Sequence, residues 1–329
     1  MRLSNHRFST GWKDRPLSFT TSTEDDRGQP RGLLGLLDLD QAGTDRYVAA
    51  TPAEGPPRLF GGQVAAQSLR AATLTIGDDR FVHSLHSYFV RPGRPGVPLQ
   101  LVVERIRDGR SFATRRVTAV QEDEAIFVLD ASFHVVEEGF DWQEPAPLGV
   151  PGPDEVPPRD LFGSRPPWAR SAAATAEADA SSGDGSNDAD EPEPPRFRGP
   201  RAAMLFELRP VKLGEDFAIH PAWVRLREPI GDDPSMHASA LTYISDMAVI
   251  RSAMAPGAPT SWGGASLDHA VWFHRPLRVD DWLLFSVDPV TNFGARGLAR
   301  GSFHTVDGTL VASFVQECLL RSTGMPPPP

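Results

Sequence analysis

Two stretches of this chain repeat one another in order, and that internal duplication constrains the fold more than any other feature. Residues 84–92 read SLHSYFVRP and residues 268–276 read DHAVWFHRP. Under a shift of 181 positions, Ser111-Phe112-Ala113-Thr114-Arg115 answers Asn292-Phe293-Gly294-Ala295-Arg296, and Ala131-Ser132-Phe133 answers Ala312-Ser313-Phe314. Each copy closes on an apolar strand behind a turn: AIFVLDASFHVV after QEDE, and TLVASFVQECLL after the Asp307-Gly308 hairpin signal. Each copy also opens with a helix. In FGGQVAAQSLRAATLTI, the residues Ala65, Leu69, Ala72 and Ile76 share one face at helical spacing, and the many small side chains suit a helix gripped closely by a sheet. A second helix is expected over residues 234–254, with Leu241, Ile244 and Ala248 on its face. The remaining strands are LQLVVERI and SFATRRVTAV, then WLLFSVDPV and GLARGSFHT, joined by short meander connections. One helix followed by several strands, twice over, predicts an α+β fold with antiparallel sheets.

Between the copies the composition changes. Residues 144–200 open Pro-rich (EPAPLGVPGPDEVPP) and become SAAATAEADASSGDGSNDADEPEPP, with seven acids and no base between Ser171 and Pro195. Such a segment cannot bury enough apolar surface to offset its ordering entropy, so a disordered linker is expected. The organisation is then a flexible extension (1–30), a first unit (31–143), the linker (144–200), a second unit (201–321) and a flexible tail (322–329).

Several function classes are disfavoured at once. A net charge of −10 argues against a nucleic-acid surface. The single cysteine, Cys318, excludes an intrachain disulfide framework and a multi-thiolate zinc site. No stretch approaches the roughly 18 apolar residues of a membrane span, and the N-terminus lacks a signal-like apolar core, so a cytoplasmic protein is expected. There is no G-x-x-x-x-G-K-[ST] loop and no G-x-G-x-x-G after a strand. His83 and His86 would point to opposite faces of a strand, and His269 and His274 read as packed or solvated residues. No metal and no bound cofactor are expected. Only Lys13 and Lys212 among the 33 basic residues are lysines, so anion contacts would fall to arginine.

Several blocks, in order and at matching spacing, resemble the acyl-CoA thioesterase II family. In the first copy they are FGGQ (60–63), HSLHSYFVRPG (83–93), RDGRSFATRRV (107–117) and ASFH (131–134). In the second they are YISD (243–246), SLDHAVWFHRP (266–276), WLLFSV, GLARGSF and LVASFVQE (310–317). The resemblance runs from about residue 31 to 321 and implies a double hot-dog: two long helices, each wrapped by part of a continuous antiparallel sheet. It also implies hydrolysis of acyl-CoA by a water held between an aspartate, a hydroxyl residue and a glutamine, which fall here on Asp246, Ser266 and Gln316. Relatives of this family often associate, so a homo-oligomer is expected.

The residues themselves leave more open. Asp246 sits inside YISDMAVI, where a buried carboxylate needs partners, although an exposed helix-terminal acid also fits. Gln316 lies in the apolar VASFVQECLL, where its amide must find partners, a structural bond between layers being the alternative. Ser266 alone would be a turn serine and stands in GASLD, not in a G-x-S-x-G elbow. Gly61-Gly62, opening the first helix, offer backbone N–H groups to a developing oxyanion or simply make a tight turn. Arg91, Arg94, Arg110, Arg275 and Arg296 are candidates for CoA phosphates or solvated surface residues. Two rival functions share the fold or the ligand: an enoyl-CoA hydratase, for which no D-x-N-x-x-H pattern is present, and an acyl-CoA binding or sensing protein with little turnover.

Overall fold

A computed structural model describes residues 32–53, 57–157, 205–211, 221–254 and 262–322. The expected N-terminal extension, residues 158–200 of the expected linker and all but the first residue of the expected tail lie outside them. The described strands are β1 (Leu39–Gly43), β2 (Arg46–Ala49), β3 (Arg80–Phe89), β4 (Leu99–Asp108), β5 (Phe112–Gln121), β6 (Glu124–Val135), β7 (Phe206–Pro210), β8 (Ala222–Leu226), β9 (Trp262–Ser266), β10 (Asp268–Phe273), β11 (Leu283–Phe293), β12 (Arg296–Thr305) and β13 (Leu310–Ser322). The helices are α1 (Gly32–Leu37), α2 (Gly61–Thr73), α3 (Pro234–Ser245) and α4 (Val249–Ser252).

All the strands belong to one sheet, in the order β1-β2-β4-β5-β6-β3-β10-β13-β12-β11-β8-β7, with β9 pairing to β13. Read from the β3–β10 seam outwards, the two halves have the same connectivity: β3, β6, β5, β4, β2, β1 on one side and β10, β13, β12, β11, β8, β7 on the other. The duplication is therefore a structural one, joined by a single antiparallel seam in which Leu85 faces Val271 and His86 faces Ala270. The short hairpin strands β1–β2 and β7–β8 were not expected, being too brief to show a period.

Each half of the sheet wraps one helix. Ten residues of α2 are buried, Gly62 through Leu69 with Ala71 and Ala72, and in α3 every residue from Met236 to Ser245 is buried. A helix with no solvated face is what the small-residue sequence allows. The two helices run antiparallel, side by side. At one end Arg70 donates to Ser235 Oγ at 2.7 Å, while at the other a Cβ on Gly62 would lie 2.4 Å from the Tyr243 carbonyl oxygen. Only glycine permits that approach. This is the double hot-dog arrangement.

Three expectations change in detail. The helix anticipated over 234–254 is two helices, because the chain leaves α3 at Asp246 and passes through a left-handed Ala248 (φ 60°) before α4 begins. Ser111–Arg115 and Asn292–Arg296 are not equivalent. The first run leads into β5, whereas the second crosses the β11–β12 turn. The alignment of 84–92 with 268–276 puts Leu85 against His269, and pairing across the strands then makes Gln316, not Ala312, the counterpart of Ala131. The amphipathic alternation of both strands had hidden a four-residue slip. Finally, residues 144–157, expected within the linker, run as a tethered strap. Pro151 O accepts from Trp223 Nε1 at 2.8 Å and Pro153 O from Arg209 at 2.7 Å.

Adjacent arginines on β5 illustrate what burial does to a charge. Arg115 is 2% exposed and donates to Thr75 Oγ1, Thr75 O, Arg107 O and Asp108 Oδ1, tying the end of α2 to the sheet. Arg116 points to solvent and pairs with Asp130 at 2.8 Å. Arg115→Ala should therefore cost about 3 kcal/mol or more in urea unfolding, and Arg116→Ala less than about 1 kcal/mol.

Candidate active site

The break after α3 places a carboxylate where a helix would least favour it. Asp246 is the C-cap (φ −90°, ψ 0°), at the negative end of the helix dipole, and is 6% exposed. Other groups hold it. Gln316 Nε2 donates to Asp246 Oδ1 at 2.9 Å and to Ser266 Oγ at 2.8 Å, and Ser266 Oγ donates to Asp246 Oδ1 at 3.1 Å. The Gly62 N–H, at the positive end of α2, also donates to the carboxylate. The three residues singled out in the sequence are thus in mutual contact. Burial dominates the carboxyl's proton affinity and lifts it from 3.8 to about 6, with the Gln316, Ser266 and Gly62 hydrogen bonds opposing the rise.

Each partner is delivered by a distinct backbone device. Ser266 ends β9, and the register moves across Leu267: Ser266 faces Cys318 while Ala270 faces Val315, four residues on one strand against three on the other. Such a bulge re-aims the side chains beside it. The Leu267 backbone still closes its bonds, donating to Glu317 O and accepting from Phe89 N at 2.9 and 3.0 Å. Gln316 is fully buried on β13, facing Ala299 of β12. Cys318 lies 3.6 Å from Gln316 Nε2, and burial pushes its thiol up to about 12, far from a nucleophilic thiolate.

The helix start is packed against the same carboxylate. A Cβ on Gly61 would lie 2.7 Å from Asp246 Oδ2 and 2.7 Å from the Phe89 ring. Gly62 spends its N–H on the Asp246 carboxylate, a use the sequence had not indicated for it. Four of the five candidate arginines have partners of their own. Arg91 bonds Ala125 O and pairs with Glu124, Arg94 pairs with Glu122, Arg275 pairs with Asp141, and Arg296 pairs with Glu317. Arg110 is an exposed residue of the β4–β5 turn. Among the described residues, no group of three or more His, Cys, Asp or Glu side chains stands together to hold a metal.

His269, read from the sequence as a packed or solvated residue, is packed. It is fully buried beside Gln316, with Nε2 2.7 Å from Ser245 Oγ. In the other half of the sheet the row equivalent to His269, Gln316 and Ala299 is Leu85, Ala131 and Arg115. There the Arg115 guanidinium reaches Thr75, just beyond the end of α2, and no carboxylate is present in the row. Gly61→Ala should push Asp246 and Phe89 apart and lower kcat/KM about 10²-fold with little loss of stability, as measured by steady-state kinetics alongside thermal unfolding.

Residues 50–134 match the Acyl-CoA thioesterase N-terminal domain family, and residues 202–319 match the Acyl-CoA thioesterase family. The human acyl-coenzyme A thioesterase 8 is 32% identical over 310 residues, covering 90% of this chain and 92% of that protein. Acyl-CoA thioesterase 2 of Haemophilus influenzae is 31% identical over 299 residues, covering 88% and 96%. The crystal structure of acyl-CoA thioesterase II TesB2 from Mycobacterium marinum superposes with a TM-score of 0.69 at 34% identity, covering 89% of this chain and all of that one. With its duplicated sheet and these matches across both halves, the chain belongs to the acyl-CoA thioesterase family.

Proposed function

We propose that the chain hydrolyses fatty acyl-CoA to the free acid and CoA with a water activated by Asp246. The observation that carries this is the convergence of Asp246, Ser266 and Gln316 on one another from a helix terminus, a bulged strand and a central strand. Asp246, unprotonated, takes a proton from the water as its oxygen attacks the thioester carbonyl carbon. Ser266 and Gln316 fix the water and the base relative to each other. The oxyanion that develops on the carbonyl meets the Gly61 N–H at the positive end of α2, the Gly62 N–H being bonded to Asp246. Collapse expels the CoA sulfur, which recovers the proton from Asp246. Serine at position 266 supplies a hydroxyl for the water, and among the described residues its side-chain partners are Asp246 and Gln316, neither an imidazole nor an amine.

Arg91 is the proposal's first candidate for a CoA phosphate, since it follows Phe89, which touches Gly61, by two residues. No helix among the described residues is long and apolar enough to cross a membrane. A cytoplasmic homo-oligomer completes the reading. Its association is supported by the exposed aromatic side chains Tyr88, Phe140, Trp142 and Phe293 and is checked by size-exclusion chromatography with light scattering.

The base makes activity and stability move oppositely with pH. Activity requires the carboxylate, so kcat should rise through about pH 6 and level off above it. Stability has the other sign. A folded value of about 6 against the ordinary 3.8 means the folded chain binds the extra proton between those limits. The Asp246 contribution to stability is therefore fully present below about pH 4 and is lost, by roughly 3 kcal/mol, as the pH rises from there to about 6. Asp246→Asn should cut thiol release from acyl-CoA at least ~10²-fold, and its melting temperature should exceed that of the wild type at pH 7.5 but not at pH 4. Undiminished release by the mutant would discard Asp246 as the base.

A further inference from the structure

The Gln316 amide makes one demand that its contacts with Asp246 and Ser266 do not meet. Both of its N–H bonds are used, to Asp246 Oδ1 and to Ser266 Oγ, so the amide must stay in the orientation that turns Nε2 towards the base. A half-turn about the terminal bond would exchange oxygen for nitrogen and set a carbonyl lone pair against a carboxylate. Something should therefore hold the oxygen. Yet Gln316 Oε1 is buried without a hydrogen-bond partner, and so is His269 Nδ1. The two residues lie side by side, because His269 precedes the Ala270–Val315 pair and Gln316 follows it. Burial pushes the imidazole down to about 4, and hydrogen bonding with the Gln316 side chain pulls the other way, so the two groups already act on each other.

An imidazole that is neutral carries one proton, and its place decides the network. With the proton on Nε2, the ring would donate to Ser245 Oγ and Ser245 would donate to Thr242 O, 3.0 Å away. That leaves the Nδ1 lone pair facing the Oε1 lone pair, two buried acceptors without a donor. With the proton on Nδ1, the imidazole and the amide both find their complements, and Ser245 turns its O–H from Thr242 O to the ring. Ser245 O–H donates to Nε2 over 2.7 Å, Nδ1–H donates to Gln316 Oε1, and Gln316 donates onward to Asp246 and Ser266.

We infer that His269 is a positioning residue for hydrolysis, whose Nδ1–H pins the Gln316 carbonyl oxygen so that the amide nitrogen faces Asp246 and Ser266. The duplicated fold supplies an internal control. Position 85, the counterpart of His269, holds leucine packed at the same depth, next to Ala131 where the other half has Gln316. The architecture thus needs no imidazole in that place; the half with the glutamine and the aspartate has one. Ser245 and His269 then extend the site by two residues behind Gln316, a linear chain of donors that strengthens each link in a low-dielectric interior.

This inference rests on the proposed role of Gln316, and its test can fail separately from that role. The first arm is 15N NMR of the histidine-labelled wild type at pH 7.5, with His269 assigned from its loss in His269→Asn. A proton on Nδ1 and a bare, hydrogen-bonded Nε2 is expected, and a proton on Nε2 overturns the inference whatever the kinetics of Asp246→Asn. The second arm is kinetic. His269→Leu, which installs the residue of the other half, should lower kcat at least ~10-fold with KM within twofold of wild type. His269→Asn, whose amide nitrogen falls near the Nδ1 position, should recover at least threefold over the leucine variant. A leucine variant that folds and keeps kcat within twofold of wild type overturns the inference. Should that variant not fold, the tautomer and the asparagine variant decide.

Discussion

A carboxylate taken out of water must be held by something, and the way Asp246 is held organises this molecule. At 6% exposure it sits against the negative end of its own helix, so its support has to come from other elements. The support arrives from the start of α2 through Gly62, from the end of β9 through Ser266 and from the middle of β13 through Gln316. Those elements belong to both copies of the duplicated unit. The antiparallel packing of α2 on α3 brings the first copy's helix start to the second copy's helix end, so neither half alone assembles the site. The local cost is visible in the backbone, where Ala248 takes a left-handed conformation just past Asp246.

Duplication gave two equivalent places in the sheet, and the side chains there have diverged in chemistry. One row holds His269, Gln316 and the small Ala299, which leaves room for polar contacts at the end of α3. The other holds Leu85, Ala131 and a buried Arg115, whose guanidinium anchors the end of α2 instead. One row thus presents polar side chains to the carboxylate at the end of α3, and the other carries a buried charge of its own.

Much of this was legible in the sequence. Repeated blocks gave the duplication, apolar alternation gave the long strands, and small residues over 61–72 gave a helix that could be enclosed. Asp246, Ser266 and Gln316 were reached through resemblance, since each alone reads equally well as a helix-end acid, a turn serine and a structural amide. What stayed hidden depends on contacts distant in sequence. The helix break at Asp246 carries no proline or glycine, and YISDMAVI continues an apolar period straight through it. The bulge at Leu267 exists only relative to β13, and the place of His269 only relative to Gln316. Gly62 read as an oxyanion donor until the position of Asp246 showed where its N–H goes.

On the proposed route, water held by Asp246 attacks the thioester directly, without an acyl-enzyme. The most direct measurement is a single turnover with enzyme in excess over acyl-CoA in 18O-water, quenched in time steps and read by mass spectrometry of both product and protein. The account predicts one 18O in the product acid from the first turnover, no acyl adduct at any time and no mass gain in the peptide carrying Asp246. An acyl adduct on the protein, or unlabelled acid with 18O retained on Asp246, would contradict it.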